Sequence, residues 1–172
     1  IAQDGEIFVN MGKPNFVWSD IPLAHKCNTL KLPLEGEPVA TNLGNPHCTF
    51  FVKNLNNFDI VEFGKKYEKH PLFPKKTNIQ LAEIIDAGRI KVKVWERGVG
   101  YTMSSGSSSC AVAVAAARKG LSGQNNKILL DGGELDINWG NDGVWMSGKT
   151  AHVFDGVISR KFLSNWKDYY DG

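Results

Sequence analysis

Residues 96–109 read Glu96-Arg97-Gly98-Val99-Gly100-Tyr101-Thr102-Met103-Ser104-Ser105-Gly106-Ser107-Ser108-Ser109, and they run directly into Cys110-Ala111-Val112-Ala113-Val114-Ala115-Ala116-Ala117. The second part decides the fold. Its pattern predicts a helix over residues 110–119 that is small and apolar on every face, and such a helix belongs in an interior. Side chains that small let neighbouring backbone approach closely. Most of the remaining chain is short, β-like and punctuated by turn residues. A buried helix of alanines among many strands predicts an α+β fold in which a strongly curved sheet or barrel wraps around a central helix.

Working outward, residues 6–10 read as one strand, and 39–52 as two more around Gly44-Asn45-Pro46. Residues 78–85 and 89–95 read as a hairpin through Asp86-Ala87-Gly88. Residues 127–130, 133–139 and 144–147 read as a meander turning at Asp131-Gly132-Gly133 and Gly140-Asn141-Asp142-Gly143. An amphipathic surface helix is expected over 58–70. Residues 18–38, with Pro22, Pro33 and Pro38, read as an irregular connection between folding units. The alternation Ala151-His152-Val153-Phe154-Asp155-Gly156-Val157-Ile158 predicts a further strand. The opening Ile1-Ala2-Gln3-Asp4-Gly5-Glu6-Ile7-Phe8-Val9 reads as the turn and second strand of a hairpin whose first strand does not precede it, which suggests a fragment.

The flexible run before the central helix carries the first chemical signal. First-turn N–H groups of a helix have no intrahelical partner and mark the positive end of its dipole, a geometry suited to a carboxylate. Capping by Ser107, Ser108 or Ser109 explains the same residues without a ligand. The preceding glycines favour an open backbone approach over a simple cap. Gly44-Asn45-Pro46-His47-Cys48 presents an amide beside an imidazole that could titrate near neutrality, although an Asn-Pro turn with a core histidine also accounts for it. Asn78 by itself suggests turn chemistry, and Glu96-Arg97 a surface ion pair of small energetic value.

Composition removes other classes of function. The 172 residues carry a net charge of +2, 42% hydrophobic and 22% charged residues, as in an ordinary globular protein. No basic run suggests a nucleic-acid partner, and Pro74-Lys75-Lys76 reads as a solvated loop. No apolar stretch is long enough for a bilayer and none reads as a signal peptide. Cys27, Cys48 and Cys110 lack disulfide spacing and suggest free thiols in a reducing cytoplasm. His25, His47, His70 and His152 are scattered, so no metal site is expected.

Taken together, Gly44-Asn45-Pro46-His47-Cys48, Phe73-Pro74 with Thr77-Asn78, Glu96-Arg97-Gly98-x-Gly100-x-Thr102, the small-residue loop and helix, Gly132-Gly133-x-Leu135 and Met146-x-Gly148 follow one order and spacing. In that order they resemble the C-terminal half of the diaminopimelate epimerase family. Met11-Gly12-x-Pro14 resembles the last strand of that family's first domain, and Phe154-Asp155-Gly156 the strand that returns to it. The resemblance implies one half of a two-domain epimerase fold. Residues 1–24 would be a remnant of the first domain with its connection, 25–150 the second domain, and 151–172 a closing strand and tail. It implies cofactor-independent, two-base epimerisation of LL-2,6-diaminopimelate to the meso form, in lysine and cell-wall precursor biosynthesis. The implied partner is a small diamino diacid, with no nucleic acid or membrane, and a homodimer is possible.

Residue by residue, Asn45, Asn78, Glu96, Arg97, Gly106 and Ser107 match substrate-contacting positions, while His47 and Glu96 match residues that tune the catalytic thiols. Two positions depart from the family. Its first catalytic cysteine, in a Gly-Asn-Gly segment, is absent here, and the second is replaced by Ser105. A serine hydroxyl lacks the acidity of a thiol, so the chain alone is expected to be inactive. A non-catalytic carboxylate-binding domain and a proline racemase-like dehydratase are the alternatives.

Overall fold

The structure, a computed structural model, describes residues 2, 3 and 5–164. Ten strands form a single sheet: β1 (Ala2–Gln3), β2 (Glu6–Asn10), β3 (Val39–Asn42), β4 (Pro46–Phe51), β5 (Asn78–Asp86), β6 (Arg89–Glu96), β7 (Gly100–Thr102), β8 (Asn125–Leu130), β9 (Gly133–Gly140) and β10 (Gly143–Lys149). Their order is β1-β2-β10-β9-β8-β6-β5-β4-β3, with β7 added beside β6. The hairpin of β5 and β6 and the meander β8-β9-β10 pair as expected, antiparallel throughout. The parallel joins at β4–β5 and β6–β8 each require a crossover connection.

Both crossovers are helical. The first contains α1 (Ile60–Glu68), capped by Asp59, whose carboxylate accepts from the Val61 and Glu62 amides. The second is α2 (Gly106–Arg118), in contact with β3, β4, β5, β6, β8, β9 and β10. Side chains from Ser108 to Ala116 are all buried, so the sheet curls round α2 as its composition requires. The fold is α+β with a half-barrel sheet around a central helix. The helix begins earlier than residue 110, however: its first turn is made of glycine and serine rather than alanine.

Strand alternation sorts the core into two faces. Ala82, Ile90, Val92 and Val94 point inward to Cys110–Ala116 and join Ile128, Ile137 and Val144. Cys48, Phe50, Ile79 and Leu81 point outward and are covered by Ile60 and Tyr67 of α1 together with Ile21, Leu23, Leu32, Leu72 and Phe73. The irregular segment expected over 18–38 is therefore irregular in backbone yet anchored by buried side chains, Ile21, Leu23 and Leu32 among them. By the same alternation His47, Thr49 and Gln80 point inward, towards the start of α2.

Two local expectations are corrected. Residues 6–10 do form a strand, but a short first strand does precede it: β1 pairs with it at Ala2↔Ile7 and Gln3↔Glu6. Along its length it pairs with β10, from Trp145↔Asn10 to Lys149↔Glu6. Residues 151–159 form no strand: they have no regular structure and are exposed, and 160–164 are helical. An alternating sequence becomes a strand only beside unpaired backbone, and β10, which it follows, is already bonded by β9 and β2. Among the described residues no helix is long and apolar enough to cross a membrane.

Candidate active site

The site is built around the N-terminus of α2. Ser105 is the residue before the first turn, with extended backbone (φ −155°, ψ 118°) and no capping bond from its side chain. Ser107, Ser108 and Ser109 lie inside the helix, so none of them is the cap that the sequence suggested. Ser109 bonds back to the Ser105 carbonyl through both its amide (3.0 Å) and its hydroxyl (2.8 Å). The Gly106 and Ser107 amides thus begin the helix without a serine cap over them. A Cβ on Gly106 would lie 2.9 Å from Met146 Sδ, so the end of that side chain would have to shift.

The Ser105 hydroxyl instead donates to Glu96 Oε2 at 3.3 Å. Glu96 ends β6, and the next residue, Arg97, is held by its backbone: its amide donates to Asn78 Oδ1 at 2.8 Å. Asn78 Nδ2 in turn donates to the Pro46 carbonyl at 2.9 Å. The parallel register that sets His47 beside Asn78 makes this clamp possible. Asn78, only 4% exposed, is thus more than a turn residue. Arg97 does not pair with Glu96; its guanidinium donates to the Lys75 carbonyl at 3.3 Å.

From Asn45 a second set of bonds runs inward. Asn45 Oδ1 lies 2.7 Å from His47 Nε2, and His47 Nδ1 lies 3.0 Å from Gln80 Nε2. Gln80 also reaches Ser108 Oγ (3.0 Å) and Thr49 Oγ1 (3.1 Å). His47 does not titrate near neutrality. Burial, reinforced by the nearby Arg97 charge, pulls it down to about 3, so the imidazole is neutral.

A third support lies behind the Glu96-Arg97 turn. Glu68 of α1 accepts from Trp95 Nε1 (2.9 Å) and from the Gly98 amide (3.0 Å), with Lys76 Nζ 3.8 Å away. Burial pushes the Glu68 carboxyl up, but these donors and the charges of Lys76 and Lys69 outweigh it and hold it below the ordinary value. Trp95 fits against α1 because residue 64 is glycine: a Cβ there would come within 2.2 Å of the indole.

The structure therefore brings Asn45, His47, Asn78, Glu96, Arg97 and Ser105 to one end of the sheet, with Gly106 and Ser107 in the adjoining helical turn. Asn45, Gly106 and Ser107 are half-buried and Arg97 is exposed, so the site opens on a surface. Sequence reading missed Glu68 and Gln80 and took Ser108 only as a possible cap. Of these only Gln80, a polar residue between Ile79 and Leu81, carried a local signal. None of the three cysteines is a thiolate: burial raises all of them, Cys110 to about 12 and Cys48 well above its usual value. Among the described residues no three His, Cys, Asp or Glu side chains are grouped to hold a metal ion.

Comparison with known proteins agrees with this architecture. The family profile described as diaminopimelate epimerase matches residues 39–153. A diaminopimelate epimerase of the Wolbachia endosymbiont of Brugia malayi is 47% identical, over 83% of this chain and 56% of that protein. That of Rhodospirillum centenum is 42% identical, over 95% of this chain and 58% of its own. The chain thus spans little more than half the length of these relatives. A solved Pseudomonas aeruginosa structure described as a predicted epimerase shares the fold, with a TM-score of 0.57 at 16% identity over 87% of this chain and 57% of that one. From its own sequence motifs, its half-barrel around α2 and these relatives, the chain belongs to the diaminopimelate epimerase family.

Proposed function

We propose that this chain forms one wall of the active site of a two-domain, cofactor-independent epimerase converting LL-2,6-diaminopimelate to meso-diaminopimelate. The observation that carries the reading is the convergence of Asn45, Asn78, Glu96 and Arg97 on the open first turn of α2. An α-proton beside a carboxylate is a very weak acid, and the carbanion left behind needs fixed donors at that carboxylate. The Gly106 and Ser107 amides, the helix dipole, Asn45 and Arg97 are such donors. Neutral His47 keeps the buried side of the site free of a competing charge.

Proton transfer needs a base on each face of the α-carbon. On this wall the position belongs to Ser105, whose hydroxyl is bonded to Glu96 and has no thiol's acidity. The chain alone is therefore expected not to exchange the α-proton. The decisive experiment compares Ser105 with Ser105→Cys in a two-domain protein containing this chain, by solvent-deuterium incorporation at the α-carbon of diaminopimelate. A cysteine at a helix N-terminus has a lowered pKa, so the Cys form should be faster by at least about 100-fold. Equal rates would overturn the reading. The Ser105–Glu96 bond itself favours a second reading, a carboxylate-binding domain without catalysis; binding of diaminopimelate by both forms with exchange in neither would select it.

A further inference from the structure

Asn45, His47, Gln80, Thr49 and Ser108 form one continuous chain of hydrogen bonds, and all but Asn45 are 0% exposed. Each member restricts the next. A neutral imidazole offers one donor and one acceptor, a carboxamide has a donor end and an acceptor end, and only the two hydroxyls adapt to either role. The chain consequently has two settings in which every contact pairs a donor with an acceptor. In one, Gln80 Nε2 donates to His47 Nδ1 and to Ser108 Oγ, Gln80 Oε1 accepts from Thr49, and His47 Nε2–H donates to Asn45 Oδ1. In the other, both carboxamides are turned over, the ring proton is on Nδ1, and the hydroxyls reverse. The structure has the first.

The setting decides what Asn45 shows to the outside. With Oδ1 committed to His47, its Nδ2 bonds no described residue and is not among the buried polar atoms left without a partner, so it is open to solvent. In the opposite setting the carbonyl would be outermost. The first offers donors to an anion, and the second an acceptor to an ammonium group. Beside the first turn of α2 and Arg97, the group drawn to the site is an anion, which matches the first.

We propose that Gln80 is a positioning residue: by donating to His47 Nδ1 it keeps the ring proton on Nε2 and so turns the NH2 of Asn45 towards a substrate carboxylate. The proposal rests on the carboxylate-binding reading of the site given above. Gln80 itself, wholly buried on the inner face of β5, touches no ligand.

The test reads the His47 ring nitrogens by long-range 1H–15N correlation at pH 7, on the intact chain and without ligand. The expected result is a single Nε2–H tautomer. In Gln80→Glu an ionised carboxylate can only accept, so Nδ1 should gain a proton. Gln80→Met has no donor and only a weak acceptor, so the ring loses its donor at Nδ1 and both tautomers should appear. An Nδ1–H tautomer in the unaltered chain would overturn the proposal even if neither variant folds. So would the same pure Nε2–H tautomer in Gln80→Met, which would show that Gln80 is not what selects it. The underlying reading is tested separately, by titrating the Asn45 NH2 resonances with diaminopimelate. A pure Nε2–H ring that responds to Gln80 substitution, with no shift at Asn45, would sink the carboxylate site and uphold the polarity set by Gln80.

Discussion

His47 shows how far the meaning of a residue depends on its neighbours. In sequence it reads as an imidazole able to switch near neutral pH. In the fold it is wholly buried, neutral, and pulled down to about 3. The unfolded chain protonates this ring near its ordinary value of 6.5, so below that pH the unfolded state binds a proton the folded state refuses. His47 therefore contributes stability that is complete above about pH 6.5 and falls as pH drops towards 3, by up to about 1.4 kcal/mol per pH unit. Urea unfolding at pH 7, 6, 5 and 4 should show this slope in the natural chain and a flatter one in His47→Gln. Parallel profiles would mean that the ring is protonated in the folded protein.

Among the elements, α1 has the less obvious role. It lies on the outer face of the sheet, outside the site, yet Glu68 and Gly64 on it fix Trp95 and the Gly98 amide, and with them the Glu96-Arg97 turn. Helix propensity alone would favour Gly64→Ala by about 1 kcal/mol. Here the added methyl would meet the indole, and overpacking of this kind costs about 1–3 kcal/mol. Gly64→Ala should lower the melting temperature and raise hydrogen exchange at Gly98, and a more stable variant with unchanged exchange would refute the role given to α1. The elements were largely legible from the sequence because period-2 strands and an all-apolar helix are local patterns. The start of α2 was not: glycine and serines have poor helix propensity, and only burial within the curled sheet extends the helix through them. Residues 151–158 failed for the opposite reason, a strand pattern with no neighbour to pair with. Asn45, Asn78, Glu96 and Arg97 were legible as a set of motifs, but the bonds joining them depend on the β4–β5 register and on Gln80 and Glu68, which no short motif marks.

At the scale of the whole molecule, apolar surface is concentrated where the chain leaves the sheet. Ile7 and Val9 on β2 are exposed, and Val153, Phe154, Val157 and Ile158 range from 63% to 100% exposed. Exposed apolar side chains in this number favour association. The isolated chain should self-associate with rising concentration in sedimentation velocity. Removing residues 151–172 should weaken that association while shifting the melting temperature by less than about 2 °C, because surface segments away from the core contribute little stability. A large fall in melting temperature on truncation would show that the segment packs on the domain.

The pairing of β2 with β10 also bears on the order in which the molecule is made. β2 leaves the ribosome well before β10, the strand it pairs with. Between them the meander, both crossovers and the whole β3–β6 block must be synthesised. Contacts of such long sequence separation form late, since the chain must first accept the entropy loss of a very large loop. The sheet can therefore assemble from β3 to β9 around α2 as a nascent domain before β2 meets β10. In refolding followed by pulsed hydrogen exchange, the β2 amides should be the last of the sheet to gain protection, and the bond from the Thr150 amide to Gly5 should close with them.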